Sequence, residues 1–459
     1  TNPKTFTLNA VNGDLIYKVT NDTAPAELVL TTPTFGTTTA TGITRYGANL
    51  NVNINSDGGS PITVSGTCYG TTPNPTTNCI AQSLGGLAPF DTPTISTTSA
   101  NPYGIAVSPD GTSVYTANYG GNTVSMFSRN VSTGALSPLS PATIATGGSL
   151  PATIVVSPDG TSVYVAASAS STISQFSRDP ATGMLTALTP ATIASNVPYS
   201  VVVSSDGKNV YATNEVSRTV SMYSRAASGE LTLLSPATIA AGVSPSIIVM
   251  SNDGKSAYVV NRNDTKMSIY SRDPASGILT AQAPLTITTG GFLYGMAISP
   301  DGTSLYFVNS TANTLSMYSR SPSDGALTPM TPLTIATSGS PRYVIVSPDG
   351  ASVYSSSNTN TISLYNRNTT TGALAAASTP TLSFGNLCYG MTFSPDGKTF
   401  YANKYSSTSV AMYNRRTSNT GAFSQNRSMS AGTTYYARGY ATNSLGTSYS
   451  ADVTFSTLP

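Results

Sequence analysis

The stretch "SPDGTSVYTAN" at residues 108–118 decides the architecture, because the chain repeats it, with variation, seven times. The aspartates of the phrase are Asp110, Asp159, Asp206, Asp253, Asp301, Asp349 and Asp396, at spacings of 49, 47, 47, 48, 48 and 47 residues. A second landmark keeps step: an aromatic residue, then Ser or Asn, then Arg. It supplies Arg129, Arg178, Arg225, Arg272, Arg320, Arg367 and Arg415. A fixed period near 48 marks a supersecondary unit that buries its faces only against its neighbours. Within one unit "GIAVS" (104–108) reads as a strand, "DG" as a turn and "SVYTAN" (113–118) as the return strand. "TVSMFSR" (123–129) is a third strand of alternating character, and "ALSPLSPATIAT" (135–146) a looser fourth. Proline is tolerated at a sheet edge, so the fourth strand is outermost. Seven such units of four antiparallel strands predict an all-β fold built on a seven-bladed β-propeller.

The ends of the repeat array predict its closure. The seventh unit supplies three strands, "YGMTFSP", "TFYANK" and "SVAMYNRR", and stops near Arg416. Upstream, "FDTPTISTTSANPYG" (90–104) matches "LSPATIATGGSLPAT" (139–153) of the first full unit. The N-terminal side is therefore expected to donate the outer strand of the last blade. The flanks have a different character. Residues 40–77 alternate apolar positions at Ala48, Leu50, Val52 and Ile54 before a turn at "SDGGSP". The tail 421–459 carries "GTTYYARGYATN" and ends in "VTFST". Together they have the size of one fibronectin III/immunoglobulin-like β-sandwich, with Tyr435 or Tyr436 as its corner tyrosine. The predicted organisation is an N-terminal β extension (1–25), a first sandwich part (26–88), the propeller (89–416) and a second sandwich part (417–459). Insertion of the propeller into a sandwich loop is allowed if the propeller's ends meet.

The phrases "YTAN", "YATN", "YVVN" and "YFVN" resemble the YVTN-type propeller repeats of bacterial and archaeal surface proteins and of lactonase-type propellers. The resemblance spans roughly residues 89–416. It implies a propeller whose channel mouth takes ligands and, in lactonase-type and cycloisomerase-type members, carries acids, bases or metal ligands. One scaffold hosts many activities, so the site itself must decide.

Composition limits the chemistry. The chain has 459 residues, a net charge of +2 and 9% charged residues. Nucleic-acid binding needs a basic stripe that this balance does not supply. No apolar run reaches the ~18 residues of a membrane span. Histidine is absent, which removes imidazole acid–base catalysis and imidazole metal ligation. Of three cysteines, Cys68 and Cys79 are close and Cys388 is distant; in an oxidising compartment Cys68–Cys79 is the expected bridge, and the alternative is three free thiols. Three cysteines do not make a zinc site, and neither metal nor cofactor is expected. A Ser-, Thr-, Asn- and Tyr-rich chain poor in Lys and Glu reads as secreted, extracellular or at the cell surface, after removal of a leader.

The candidate sites follow from the register. The repeat aspartates sit in turns and are expected to pair with the repeat arginines in a structural role. The remaining carboxylates form no pair suited to acid and base roles; Glu215, just past an inner strand pair, is the one to watch. Seven residues before each repeat aspartate lie Tyr103, Ala152, Tyr199, Ser246, Tyr294, Arg342 and Tyr389, where the innermost strands begin. Tyr103, Tyr199, Tyr294, Arg342 and Tyr389 form either a ligand mouth suited to stacking on a sugar or clamping an anion, or a plug of the channel. With neither carboxylate nor histidine in that ring, no catalytic residue is expected.

At the N-terminus, Asn12-Gly13 is a hairpin signal that pairs Ala10 with Leu15, Leu8 with Tyr17 and Phe6 with Val19 on one apolar face. An isolated hairpin is marginal in water. The segment packs on its own subunit, augments the sheet of a neighbouring copy, or is donated as a single strand. Six Asn-x-Ser/Thr matches occur, at Asn21, Asn130, Asn263, Asn309, Asn368 and Asn426. The leading expectation is an extracellular structural subunit that polymerises with copies of itself into a filament or layer through residues 1–25. The alternatives are a monomeric cell-surface binding module for a glycan or protein at the propeller mouth, and a lactonase-like hydrolase.

Overall fold

Seven antiparallel sheets follow one another along residues 87–415, each built as the repeat predicts. The computed structural model describes residues 6–11, 14–19, 31–57, 62, 64–82, 85–264, 266–283, 285–286, 291–415, 421–443 and 445–459. The chain divides into two compact units, one of residues 1–88 with 416–459 and one of residues 89–415.

In the larger unit the first blade runs Pro102–Val107, Ser113–Asn118, Thr123–Arg129 and Leu136–Ala145, with sheet order following chain order. Five further blades repeat the pattern. In the fourth, the outer strand is divided into Leu279–Ala281 and Leu285–Thr286, both paired to Lys266–Arg272. In the last blade Met391–Phe393, Thr399–Lys404 and Ser409–Arg415 are completed by Leu87–Ser96, so the N-terminal side supplies the closing strand. The unit is a seven-bladed β-propeller.

The second strand of each blade explains the signature. Ser113–Asn118 is buried along its whole length, as are its counterparts in the next five blades. Both faces of each sheet are covered by neighbouring blades, so this strand has no solvent side. Alternation then sorts its side chains: Tyr115 and Ala117 join a cluster with Ile154, Val163 and Phe176 of the next blade, whereas Val114 packs with Tyr401 and Met412 of the last one. Full burial of such residues contributes roughly 1.5–3 kcal/mol each for a large apolar side chain.

A polar interlock repeats around the opposite end from the strand starts. Arg178 donates from Nε to the Tyr115 hydroxyl (2.8 Å), from Nη1 to the Gly160 carbonyl (3.0 Å) and from Nη2 to Asp110 (2.9 Å). Tyr115 in turn donates to the Gly183 carbonyl at 2.6 Å. Each arginine thus ties its own blade to the preceding one. The same Asp–Arg pairing recurs for Asp159–Arg225, Asp206–Arg272, Asp253–Arg320, Asp301–Arg367 and Asp349–Arg415 at 2.8–2.9 Å. At ring closure, Arg129 and Asp396 stand 3.7 Å apart. The guanidiniums are nearly buried, with side-chain exposures of 0–5%.

The smaller unit has two antiparallel sheets that each combine strands from before and after the propeller. Gly47–Ser56 pairs with Gly421–Ser428, and Val64–Gly70 pairs with Thr434–Asn443. Ala48 and Leu50 of one sheet pack with Tyr435, Ala437 and Phe455 of the other. The Tyr435 hydroxyl accepts a hydrogen bond from the Ser430 backbone N–H at 3.0 Å. Cys68 and Cys79 form a disulfide, and Cys388 is a buried free thiol in the propeller. Phe6–Val11 and Asp14–Val19 form a two-stranded sheet in the register Phe6↔Val19, Leu8↔Tyr17, Ala10↔Leu15. The turn residues Asn12 and Gly13, and the side chains of the hairpin, lie outside the described residues. No helix among the described residues is long and apolar enough to cross a membrane.

Candidate functional site: the propeller mouth

The inner strands all start at one end of the propeller, so the residue at each start faces the same channel entrance. A cavity of about 470 Å³ opens there. Tyr103, Tyr199, Tyr294, Arg342 and Tyr389 all line it, as do Ala152 and Ser246. Tyr103 stacks on Tyr389 with centroids 5.0 Å apart and an 18° interplanar angle, and Tyr405 meets Tyr389 edge-on at 4.7 Å. That packing gathers Tyr103, Tyr389 and Tyr405 into one aromatic cluster. The Tyr103 and Tyr199 hydroxyls share a hydrogen bond of 2.5 Å. Burial pushes both phenols above their ordinary pKa. For Tyr103 the neighbouring Tyr199 adds to that shift, whereas for Tyr199 the Arg262 charge opposes it. Both stay neutral donors near pH 7.

The cationic side is built around Tyr294. The Arg342 guanidinium lies 4.0 Å from the Tyr294 ring centroid, and that of Arg262 lies 5.1 Å from the same ring and 4.7 Å from Tyr199. Cation–π contact of this kind holds a guanidinium in place without neutralising it. Arg342 donates from Nε to Asn358 Oδ1 at 3.1 Å. Arg262 pairs through Nη1 with Glu215 Oε1 at 3.2 Å. Its Nε and Nη2 are buried and have no hydrogen-bond partner among the described residues. Two guanidiniums against one carboxylate leave the mouth with a positive balance.

Arg262, Tyr119 and Tyr405 were not among the residues anticipated from sequence. Their signal was a second register. Nine residues after each repeat aspartate stand Tyr119, Ser168, Glu215, Arg262, Ser310, Asn358 and Tyr405, immediately beyond the second strand. The second strand returns to the end where the first began, so this ring adjoins the ring of strand starts. Among the described residues no cluster of three or more Cys, Asp or Glu side chains is placed to hold a metal ion.

Fold and site define a seven-bladed propeller with an arginine- and tyrosine-lined mouth. The family model described as "Lactonase, 7-bladed beta-propeller" matches residues 88–203, 190–290 and 295–383, and the chain belongs to that family. Among solved structures it is similar to a candidate 6-phosphogluconolactonase from Bacteroides fragilis, at 21% identity and a TM-score of 0.56, over 72% of this chain and 96% of that one. It is also similar to the periplasmic gluconolactonase PpgL of Pseudomonas aeruginosa, at 19% identity and a TM-score of 0.53, over 61% of this chain and 85% of that one. Kuenenia stuttgartiensis hydrazine synthase is similar too, at 17% identity and a TM-score of 0.54, over 70% of this chain and 97% of that one. At such identities the likeness concerns the fold. No functionally curated protein matches the sequence significantly.

Proposed function

We propose that the propeller mouth binds a small, hydroxyl-rich anion, a sugar acid or a phosphorylated sugar lactone, in a protein exported to an oxidising compartment. The observation that carries this reading is Arg262: two buried guanidinium donors stand without partners on a residue lining the cavity. A carboxylate or phosphate accepts both in a charge-assisted fork. The tyrosine rings offer a stacking wall and the phenols offer hydrogen bonds to ring hydroxyls. The family and the gluconolactonase relative support the ligand class, and the Cys68–Cys79 disulfide supports the compartment. Binding is the primary activity in this reading, because Glu215, the only carboxylate lining the cavity among the described residues, is engaged by Arg262.

Calorimetric titration with gluconate and with neutral glucose tests it. Gluconate is expected to bind more tightly than glucose, with Arg262→Ala weakening gluconate at least about tenfold, or ~1.4 kcal/mol. Absence of sugar-acid binding, or an unchanged affinity in Arg262→Ala, overturns the reading. Lactone hydrolysis above the spontaneous rate, lost in Glu215→Gln and Arg342→Ala, would make the same site an enzyme's.

A second reading concerns assembly. The discontinuous unit is read as a fibronectin type III-like sandwich interrupted by the propeller, an interpretation supported by its paired halves and by the Tyr435–Ser430 corner contact. Among the described residues, Phe6–Val11 and Asp14–Val19 pair only with each other, in the register expected for one apolar face. Such a face gains from docking on the sheet of another copy, and head-to-tail docking propagates. Electron microscopy of the full chain and of a variant lacking residues 1–25 tests this: polymers in the first only are expected. Identical images of the two refute it.

A further inference from the structure

Four of the six Asn-x-Ser/Thr matches have described asparagine side chains, and the fold separates them. Asn309 is fully buried on the second strand of its blade. Asn263 is exposed, but its Nδ2 donates to Ser244 Oγ at 3.1 Å. Asn130 and Asn368 are different. Both are exposed, in the turn between the third and fourth strands of their blades. Asn130 Oδ1 accepts from the backbone N–H groups of Ser132 (3.0 Å) and Thr133 (3.1 Å). Asn368 Oδ1 accepts from Thr370 (2.9 Å) and Thr371 (3.0 Å) in the same way. The amide oxygen is thereby fixed in the turn. The Nδ2 groups of Asn130 and Asn368, and the hydroxyls of Ser132 and Thr370, make no hydrogen bond among the described residues.

The turn itself does not require this combination. Asp179 and Asp273 occupy the equivalent position and accept the equivalent backbone bond, from Ala181 (2.9 Å) and Ala275 (3.0 Å). Each is followed by proline, Pro180 and Pro274. Where asparagine replaces aspartate, proline is gone and a hydroxyl stands two residues on: Asn130-Val131-Ser132 and Asn368-Thr369-Thr370. Those are the requirements of an N-glycan acceptor, in which proline at the middle position is excluded. The disulfide is in keeping with a compartment where such transfer happens.

We propose that Asn130 and Asn368 are acceptor sites for N-linked glycans. The co-reactant is an oligosaccharide carried on a lipid phosphate, presented by its transferase. The Nδ2–C1 bond forms as the C1–O bond to phosphate breaks. The lipid phosphate leaves with the electron pair, Nδ2 loses one proton, and nothing is oxidised or reduced. Both turns lie at the end of the propeller opposite the inner-strand starts, so a glycan there leaves the mouth open.

The test is glycopeptide mass spectrometry of the full chain from the cells that produce it naturally. An added oligosaccharide mass is expected on the peptides holding Asn130 and Asn368, and none on those holding Asn263 or Asn309. Ser132→Ala and Thr370→Ala separate the acceptor role from the turn role, since alanine already stands there in two other blades. Each is expected to abolish the glycan at its own site and leave the unfolding transition unchanged. Unmodified Asn130 and Asn368 in the native protein, or glycans that survive removal of the hydroxyls, overturn the proposal.

Discussion

Tyr211 holds two blades with one oxygen. Its hydroxyl donates to the Gly277 carbonyl at 2.6 Å and accepts from Arg272 Nε at 2.8 Å. Burial pushes the phenol up to about 12, against the pull of the Arg272 charge, so it stays a neutral donor through the ordinary pH range. Tyr211→Phe keeps the ring and removes the oxygen, which leaves a buried carbonyl and a buried guanidinium N–H unpaired. The expected loss is about 1–3 kcal/mol, read as a lower denaturation midpoint at unchanged slope. Sequence reasoning places this tyrosine on a strand of the repeat but does not reveal the role of its hydroxyl. The partners are 66 and 61 residues away in the next blade, and a period near 48 states that neighbours touch without stating which atoms meet. The Asp–Arg pairing was more accessible, because strand alternation alone brings both side chains to one end.

At the scale of the strand, the inner edge of the propeller is set by close backbone approach. An added Cβ on Gly104 would stand 2.5 Å from the Ala152 carbonyl oxygen and 3.0 Å from Ile154 N, both backbone atoms of the neighbouring inner strand. Neither can rotate aside. Gly104→Ala is therefore expected to destabilise by about 1–3 kcal/mol through overpacking, seen by thermal or urea unfolding. Gly385 has a φ of +70° but nothing within 4 Å of an added Cβ, so Gly385→Ala probes backbone strain without a clash. The inner strands were legible as "GIAVS"-type segments, and their first residues do line the mouth. Of the second ring only Glu215 stood out, because no one residue type marks the position: Tyr119, Glu215, Arg262 and Asn358 are alike only in register. Composition therefore hides a ring that the repeat register defines.

At the scale of the whole molecule, closure is the step that the sequence exposes most plainly. Leu87–Ser96 completes the last blade because "FDTPTIS" copies an outer strand, and a ring so closed leaves each blade only short, protected sheet edges. The same ring gives stability a pH signature. Burial raises the pKa of the Asp110 carboxyl, but bonds from Ser108, from the Thr112 N–H and hydroxyl and from Arg178 outweigh that and bring it from 3.8 to about 2. Asp159 and Asp301 reach about 2 by the same balance, and Asp206, Asp253, Asp349 and Asp396 are lowered in the same direction. A carboxylate whose folded pKa lies below its unfolded value stabilises the fold above the unfolded value and loses that contribution as pH falls through the folded one. The window here runs from about pH 4 down to about pH 2. All seven interlocks weaken together within it, and each joins two blades. With no histidine in the chain, nothing of the usual imidazole type titrates between pH 5 and 8. The melting temperature followed by calorimetry is thus expected to stay flat from pH 8 to about 5 and to fall steeply between about 4 and 2. Asp110→Asn, which keeps the turn but removes the charge, is expected to lower the plateau and flatten the acid limb. A melting curve that instead broke near pH 6, or that held level to pH 2, would mean that the carboxylate–arginine ring contributes little to holding the blades together.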